Sequence, residues 1–250
     1  CKNFQKSVYW GDKALEQGSK IVRFRIAWMY CGEGDIAPNY EKSFKLYETL
    51  AQEGDTSAMN NLGWMYEYGH YHSVDFNKAY ECYHKAAEKG DAYAMCNVGY
   101  CYRSGIGVEK DQVKAFEWFS KSASKGDIRA IKRLISCFQN GIGVEKDENK
   151  VIEYYEKIIE MGEKDEIVNF GHFYEHVVCN YDKAIYYYRM AAEQGNDVGQ
   201  YNLGTMYDYG TGVEEDENTA IYWYRKAARQ GNVDAQERLD ELEVDWLEEN

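Results

Sequence analysis

His172-Phe-Tyr-Glu175-His176 reads H-x-x-E-H, a spacing that sets two imidazoles one helical turn apart beside a carboxylate able to act as a general base. That donor pattern makes a metal-dependent hydrolase, or a metal-binding protein, the alternative function for this chain. A catalytic metal usually takes three protein ligands, and no clear third one is identifiable here, so the plainer reading is two histidines on a helix surface. His70-Tyr-His72 offers two more imidazoles in a loop, where such residues are ordinarily solvated. Gly105-Ile-Gly-Val108, Gly141-Ile-Gly-Val144 and Gly210-Thr-Gly-Val213 invite a nucleotide reading. None has the third glycine or continues to G-K-[ST], so they read as turns. No Ser, His and Asp set can be assembled, and no catalytic residue or cofactor is expected.

The chain has seven cysteines, an odd number whose separations of 30, 51, 14, 5, 36 and 42 residues follow no single disulfide framework. A reducing cytoplasm is the compartment this favours, with a secreted or host-directed location left open. Cys82 and Cys96 form the one pair that could bridge. Cys101 and Cys137 fall in a column of apolar residues with Met29, Met65, Phe173 and Met206, which makes them small core residues.

With 44% hydrophobic and 16% aromatic residues and a single proline, the 250-residue chain has the makings of an ordered, helix-tolerant protein. Lys plus Arg total 29 against 43 acids, a net charge of -14 that repels phosphate backbones, so no nucleic-acid partner is expected. No apolar stretch is long enough for a membrane span. Residues 232–250 hold eight acids and one Arg, half of the net charge, and favour a partner with a basic region.

What must position all of these residues is a repeat. Gly18, Gly54, Gly90, Gly126, Gly162, Gly195 and Gly231 are spaced by 36, 36, 36, 36, 33 and 36 residues, each closing an amphipathic run such as 78–89. Ser19, Asp55, Asp91, Asp127, Glu163, Asn196 and Asn232 follow them, and all but Glu163 are good helix N-caps. A second cap column comprises Asn3, Asn39, Asp75, Asp111, Asp147, Asn180 and Asp216, so each unit is predicted to be two helices. A loop shortened by three residues near 175–179 accounts for the 33-residue spacing. In the first helix, positions four, eight, nine and twelve share one face, as in Ala58, Leu62, Gly63 and Tyr66. The second helix repeats a small residue, an aromatic pair and Ala-Ala, as in Ala220, Trp223, Tyr224, Ala227 and Ala228.

These columns resemble the Sel1-like repeat, a tetratricopeptide relative with the pattern A-x-x-x-L-G-x-x-Y-x-x-G-x-G-V, acid, A-x-x-W-[YF]-x-K-A-A-x-x-G. The match is fullest over 196–231 and 91–126. It departs at 19–54, where Ala27 replaces the glycine, at 127–162, where Ile135 does, and in the shortened 163–195. The resemblance implies an all-α fold, an alpha-alpha superhelix in which helix pairs stack as a right-handed solenoid. Six repeats are expected: 19–54, 55–90, 91–126, 127–162, 163–195 and 196–231. Residues 1–18 would be the second helix of an incomplete repeat, so the chain is expected to be a fragment or to begin after processing, with a lipidated Cys1 as another account. Residues 232–250 would be an acidic capping helix, with Trp246 folded back on the last pair.

The resemblance further implies a non-catalytic protein-protein interaction scaffold that binds a protein or peptide on the concave face of the superhelix. By the tetratricopeptide analogy, positions six, seven, ten, thirteen and fourteen of the first helix line that face. They comprise Asn60, Asn61, Trp64, Glu67 and Tyr68, then Asn97, Tyr100 and Arg103, then Lys132, Arg133 and Gln139. Asn169, His172 and His176 follow, then Tyr201, Asn202, Asp208 and Tyr209. Asn61, Asn97, Asn169 and Asn202 share position seven, where an amide can both donate to and accept from a peptide backbone. Two readings of these asparagines stand: a ladder for a peptide, or bonds to neighbouring helices. The aromatic residues likewise fit either a binding hot spot or packing between units. An unpaired helix at the end of such a stack would also permit end-to-end self-association.

Overall fold

The computed structural model describes residues 19–32 and 38–246, which form thirteen α-helices and no strand. The helix and tryptophan expected within 1–18 lie outside the described residues. The chain divides into two compact units between Lys146 and Asp147, and each is described by itself. The first holds α1 (Lys20–Met29), α2 (Tyr40–Gln52), α3 (Thr56–Tyr68), α4 (Phe76–Glu88), α5 (Ala92–Ser104), α6 (Gln112–Ser124) and α7 (Ile128–Asn140). The second holds α8 (Glu148–Glu160), α9 (Glu166–His176), α10 (Tyr181–Glu193), α11 (Asp197–Asp208), α12 (Glu217–Arg229) and α13 (Val233–Glu241).

The cap columns start the helices by supplying acceptors for amides that the first turn cannot satisfy. Asp55 accepts from the Ala58 N–H at 2.8 Å, Asp75 from Lys78 at 3.0 Å, Asp91 from Ala94 at 2.9 Å and Asn196 from Gly199 at 2.8 Å. Ser19 occupies its cap position without such a bond. Glu163 starts nothing: α9 begins at Glu166, after Asp165, whose side chain does not cap. α9 then runs on to His176, so the shortened connection is 177–180, with Cys179 in the left-handed region at φ 55°.

In four of the pairs, an aromatic ring of the second helix is buried against a glycine of the first, too small to hold it off. Tyr83, Phe119, Tyr188 and Tyr224 lie so close to Gly63, Gly99, Gly171 and Gly204 that an added Cβ would meet the ring at 2.6–2.7 Å. This close approach fixes the pairing of the helices. Successive pairs are locked through the turns. Gly107 and Gly143 have φ of 66° and 70°, and a side chain on either would collide with the backbone carbonyl of Phe76 or Gln112, at the head of the preceding repeat's second helix.

Cys101 and Cys137 are buried, as their column requires. Cys82 and Cys96 are free thiols, which corrects the disulfide expectation. Cys82 stands in the aromatic column of the second helix and Cys96 at position six among the groove residues, and burial pushes each thiol up to about 11. Trp246 packs on the cluster of Ala220, Tyr224, Ala227, Ala235 and Leu239, and its carbonyl accepts from Arg229 Nε at 3.3 Å. Among the described residues no helix is long and apolar enough to cross a membrane.

Candidate functional site

In the first unit, α1, α3, α5 and α7 are the first helices of four successive repeats, and together they line a groove of about 870 Å3. Aromatic surface comes from Trp28, Trp64, Tyr68 and Tyr100, amides from Asn60, Asn61 and Asn97, and cations from Arg129, Lys132 and Arg133 of α7. Tyr47 and Tyr83 reach it from the second helices. Asn97 Nδ2 donates to Asn60 Oδ1 at 2.8 Å, and Asn60 Nδ2 to Asn61 Oδ1 at 3.4 Å, so the amides form a chain across two repeats. The aromatic members stay accessible, with Tyr68 59%, Trp28 46% and Tyr100 38% exposed.

Position thirteen shows how the repeat sets the charge of this surface. Glu67 accepts from the buried Tyr83 hydroxyl at 2.7 Å, Glu175 from Tyr188 at 2.6 Å and Asp208 from Tyr224 at 3.0 Å. A buried phenol needs an acceptor, and the acid on the first helix of the same repeat supplies it. In 91–126 the buried ring is Phe119, which has no hydroxyl, and position thirteen is Arg103 instead of an acid. In 19–54 the phenol is present as Tyr47 but position thirteen is Cys31, and the Tyr47 hydroxyl is left buried with no hydrogen-bond partner. Burial pushes the Tyr47 hydroxyl well above the usual tyrosine value, and Asn61 and Cys31 are the polar side chains beside it.

The groove therefore gathers Asn60, Asn61, Trp64, Glu67, Tyr68, Asn97, Tyr100, Lys132 and Arg133 from the candidates read in the sequence. Arg103 is not among its lining residues and lies by the buried Cys137 thiol. Trp28, Tyr47 and Arg129 belong to the groove and were missed. The signal for Trp28 was available, since it occupies position ten of its repeat as Trp64 does. Arg129 is tied to Asp127 by a 3.0 Å ion pair, and the Asp127 side chain is 2% exposed.

The candidates in the second unit are engaged with one another. Asn169 Nδ2 donates to Glu166 at 2.9 Å. Asn202 is buried, which corrects its placement on an open face, because His172 of the preceding repeat meets its amide at 3.1 Å. His172 is half-buried and not a surface residue, and burial holds its pKa below the usual histidine value, against the opposing pull of Glu175. Asp208 also receives Arg238 Nε at 2.8 Å, and the Arg238 guanidinium covers the Tyr209 ring at 5.4 Å. Tyr201 packs on Tyr224 with ring centroids 5.6 Å apart.

The metal-like trio does converge: one ligand atom each of His172, Glu175 and His176 fall within 4.8 Å of one another. Two of the three already have other partners, Asn202 for His172 and Tyr188 for Glu175. The Glu175 contact, moreover, recurs at Glu67 and Asp208, where no histidine pair accompanies it. The acid of the H-x-x-E-H motif is thus the repeat's tyrosine acceptor.

These columns match the Sel1 repeat family over residues 2–19, 23–55, 56–91, 92–127, 136–163, 171–196 and 198–232. The chain belongs to the Sel1 repeat family. The first helices that fall partly outside the matches, at 128–135 and 164–170, are those where Ile135 replaces the glycine and where α9 starts late. The chain is similar to a protective antigen of uropathogenic Escherichia coli with an SLR fold, at 32% identity and a TM-score of 0.74. That alignment covers 94% of this chain and 51% of the antigen, so the chain spans about half the antigen's length. A Sel1 repeat protein from Oxalobacter formigenes is 29% identical with a TM-score of 0.75, over 94% of this chain and 69% of that one. An immunity protein from Pseudomonas aeruginosa shares the fold alone, at 22% identity and a TM-score of 0.52 over 85% and 81% of the two chains. No curated protein matches. The fold is thus an all-α solenoid of Sel1 repeats, an architecture typically used as a protein-interaction scaffold and typically non-enzymatic.

Proposed function

We propose that this Sel1 repeat chain is a non-catalytic adaptor whose first-unit groove holds an extended segment of a partner protein. The observation that carries this reading is the groove itself, where amides and accessible aromatic rings from successive repeats line one continuous surface. Amide side chains pair with either polarity of a peptide backbone, and Trp and Tyr rings supply contact area at small entropic cost. The groove is open, a shape suited to a chain more than to a reaction that must exclude water.

The test is a peptide-display selection against the full chain, followed by binding measurements on a Trp64→Ala Tyr100→Ala variant. The reading expects selected peptides to lose at least tenfold in affinity, as removal of a hot-spot aromatic costs about 2 kcal/mol. Peptides that bind the variant unchanged contradict it. The convergence of His172, Glu175 and His176 supports a second reading, a metal-binding or hydrolytic protein. Stoichiometric zinc in the purified protein, lost together with hydrolytic activity in a His172→Ala His176→Ala variant, would establish that reading in place of the first.

A further inference from the structure

The chain as a whole is strongly acidic, with a net charge of -14, yet its groove is not. The charged residues lining it are Glu67, Arg129, Lys132 and Arg133, one acid against three cations. Glu67 is already committed to the Tyr83 hydroxyl, and Arg129 to Asp127. Arg133 is exposed, and no ion pair holds it among the described residues. Its charge acts on both the Cys96 and the Cys137 thiol, against the effect of burial. Arg103, standing where other repeats place an acid, adds positive charge beside Cys137.

A second observation points to the same chemistry. Tyr47 is among the lining residues and its hydroxyl is buried without a partner, while Tyr83, Tyr188 and Tyr224 each donate to a carboxylate. A buried hydroxyl without an acceptor is costly, so this part of the groove is suited to an arriving oxygen acceptor.

We infer that the groove takes an acidic peptide segment of a partner protein, with carboxylates set against Arg133 and an aromatic or long apolar side chain against Trp64 and Tyr100. This rests on the groove being the binding face and adds the sign of its ligand. The sign is opposite to what the acidic tail by itself suggests, because charge recognition depends on the groups desolvated at the contact and not on the total. Arg133 gives the carboxylate its strong site, and the amide chain of Asn60, Asn61 and Asn97 fixes the peptide backbone.

Three fluorescent peptides of equal length, each with a central Trp and with Glu, Ser or Lys flanks, are titrated against the full chain at low and at physiological salt. The Glu peptide is expected to bind about tenfold more tightly than the Lys peptide at low salt, with the gap narrowing as salt rises. Arg133→Glu, at an exposed position, is expected to remove that preference while leaving the circular dichroism unchanged, and Tyr47→Phe to weaken the Glu peptide about threefold. Equal binding of all three peptides, lost in Trp64→Ala Tyr100→Ala but indifferent to Arg133→Glu, would overturn the acidic-ligand inference and leave the groove standing. Binding of no peptide, or binding that survives Trp64→Ala Tyr100→Ala, would overturn both.

Discussion

The first helices of the two units carry the same columns of residues, but those columns do different work. In the second unit the polar groups at positions seven, ten and thirteen close on one another: Asn202 on His172, Glu175 on Tyr188, Asp208 on Tyr224 and Arg238. In the first unit Arg133, the Tyr47 hydroxyl and the rings of Trp28, Tyr68 and Tyr100 are left for something else. A repeat register therefore specifies where a side chain sits but not whether it is spent internally. That is decided by the residue facing it on a neighbouring helix, as the paired exchange of Tyr for Phe119 and of acid for Arg103 within one repeat shows.

The largest effects should be common to both units, because the close helix pairing is common to both. Gly63→Val and Gly204→Val each force a side chain into a tyrosine ring, and each is expected to cost about 2–3 kcal/mol in urea unfolding. A neutral result at either site would show that the pairing is looser than described. Next come the phenols. Tyr188→Phe should cost about 1–2 kcal/mol by leaving Glu175 without its donor, whereas Tyr47→Phe should be neutral or slightly stabilising, since its hydroxyl has nothing to lose. Equal costs at the two sites would break the contrast between the units.

Smaller still, Asn202→Ala should destabilise by about 1 kcal/mol while Asn61→Ala stays within ~0.5 kcal/mol and acts on peptide affinity instead. The gentlest probe is thiol labelling. At pH 8 an alkylating reagent should modify the exposed Cys179 and spare Cys96 and Cys101, whose thiols burial pushes up to about 11 and about 12. Those thiols keep their protons after the unfolded chain has begun to lose its own near 9, so stability should fall as pH rises from about 9 to 11. A flat stability profile across that window would contradict their burial.

The helices were legible because their signals are local. Asp55, Asp75 and Asp91 cap within three residues of themselves, and the glycine after each second helix ends it. Trp64, Tyr68 and Tyr100 could be placed on one face by helical period alone. What could not be read were side-chain contacts from one helix to another. Asn202 looked outward until His172, thirty residues earlier, proved to be its partner, and Glu175 looked like a general base until Tyr188 claimed it. Arg129 belongs to the groove although position three is not among the face positions, because the groove is shaped by several helices together.

Hydrogen exchange on the full chain, with and without a saturating Trp-centred Glu peptide, tests the central contrast most directly. Protection confined to α3, α5 and α7, over 60–68, 96–103 and 129–133, with none over 169–176 or 201–209, is the predicted result. Protection over α9 and α11 instead, or none in either unit, would contradict the account.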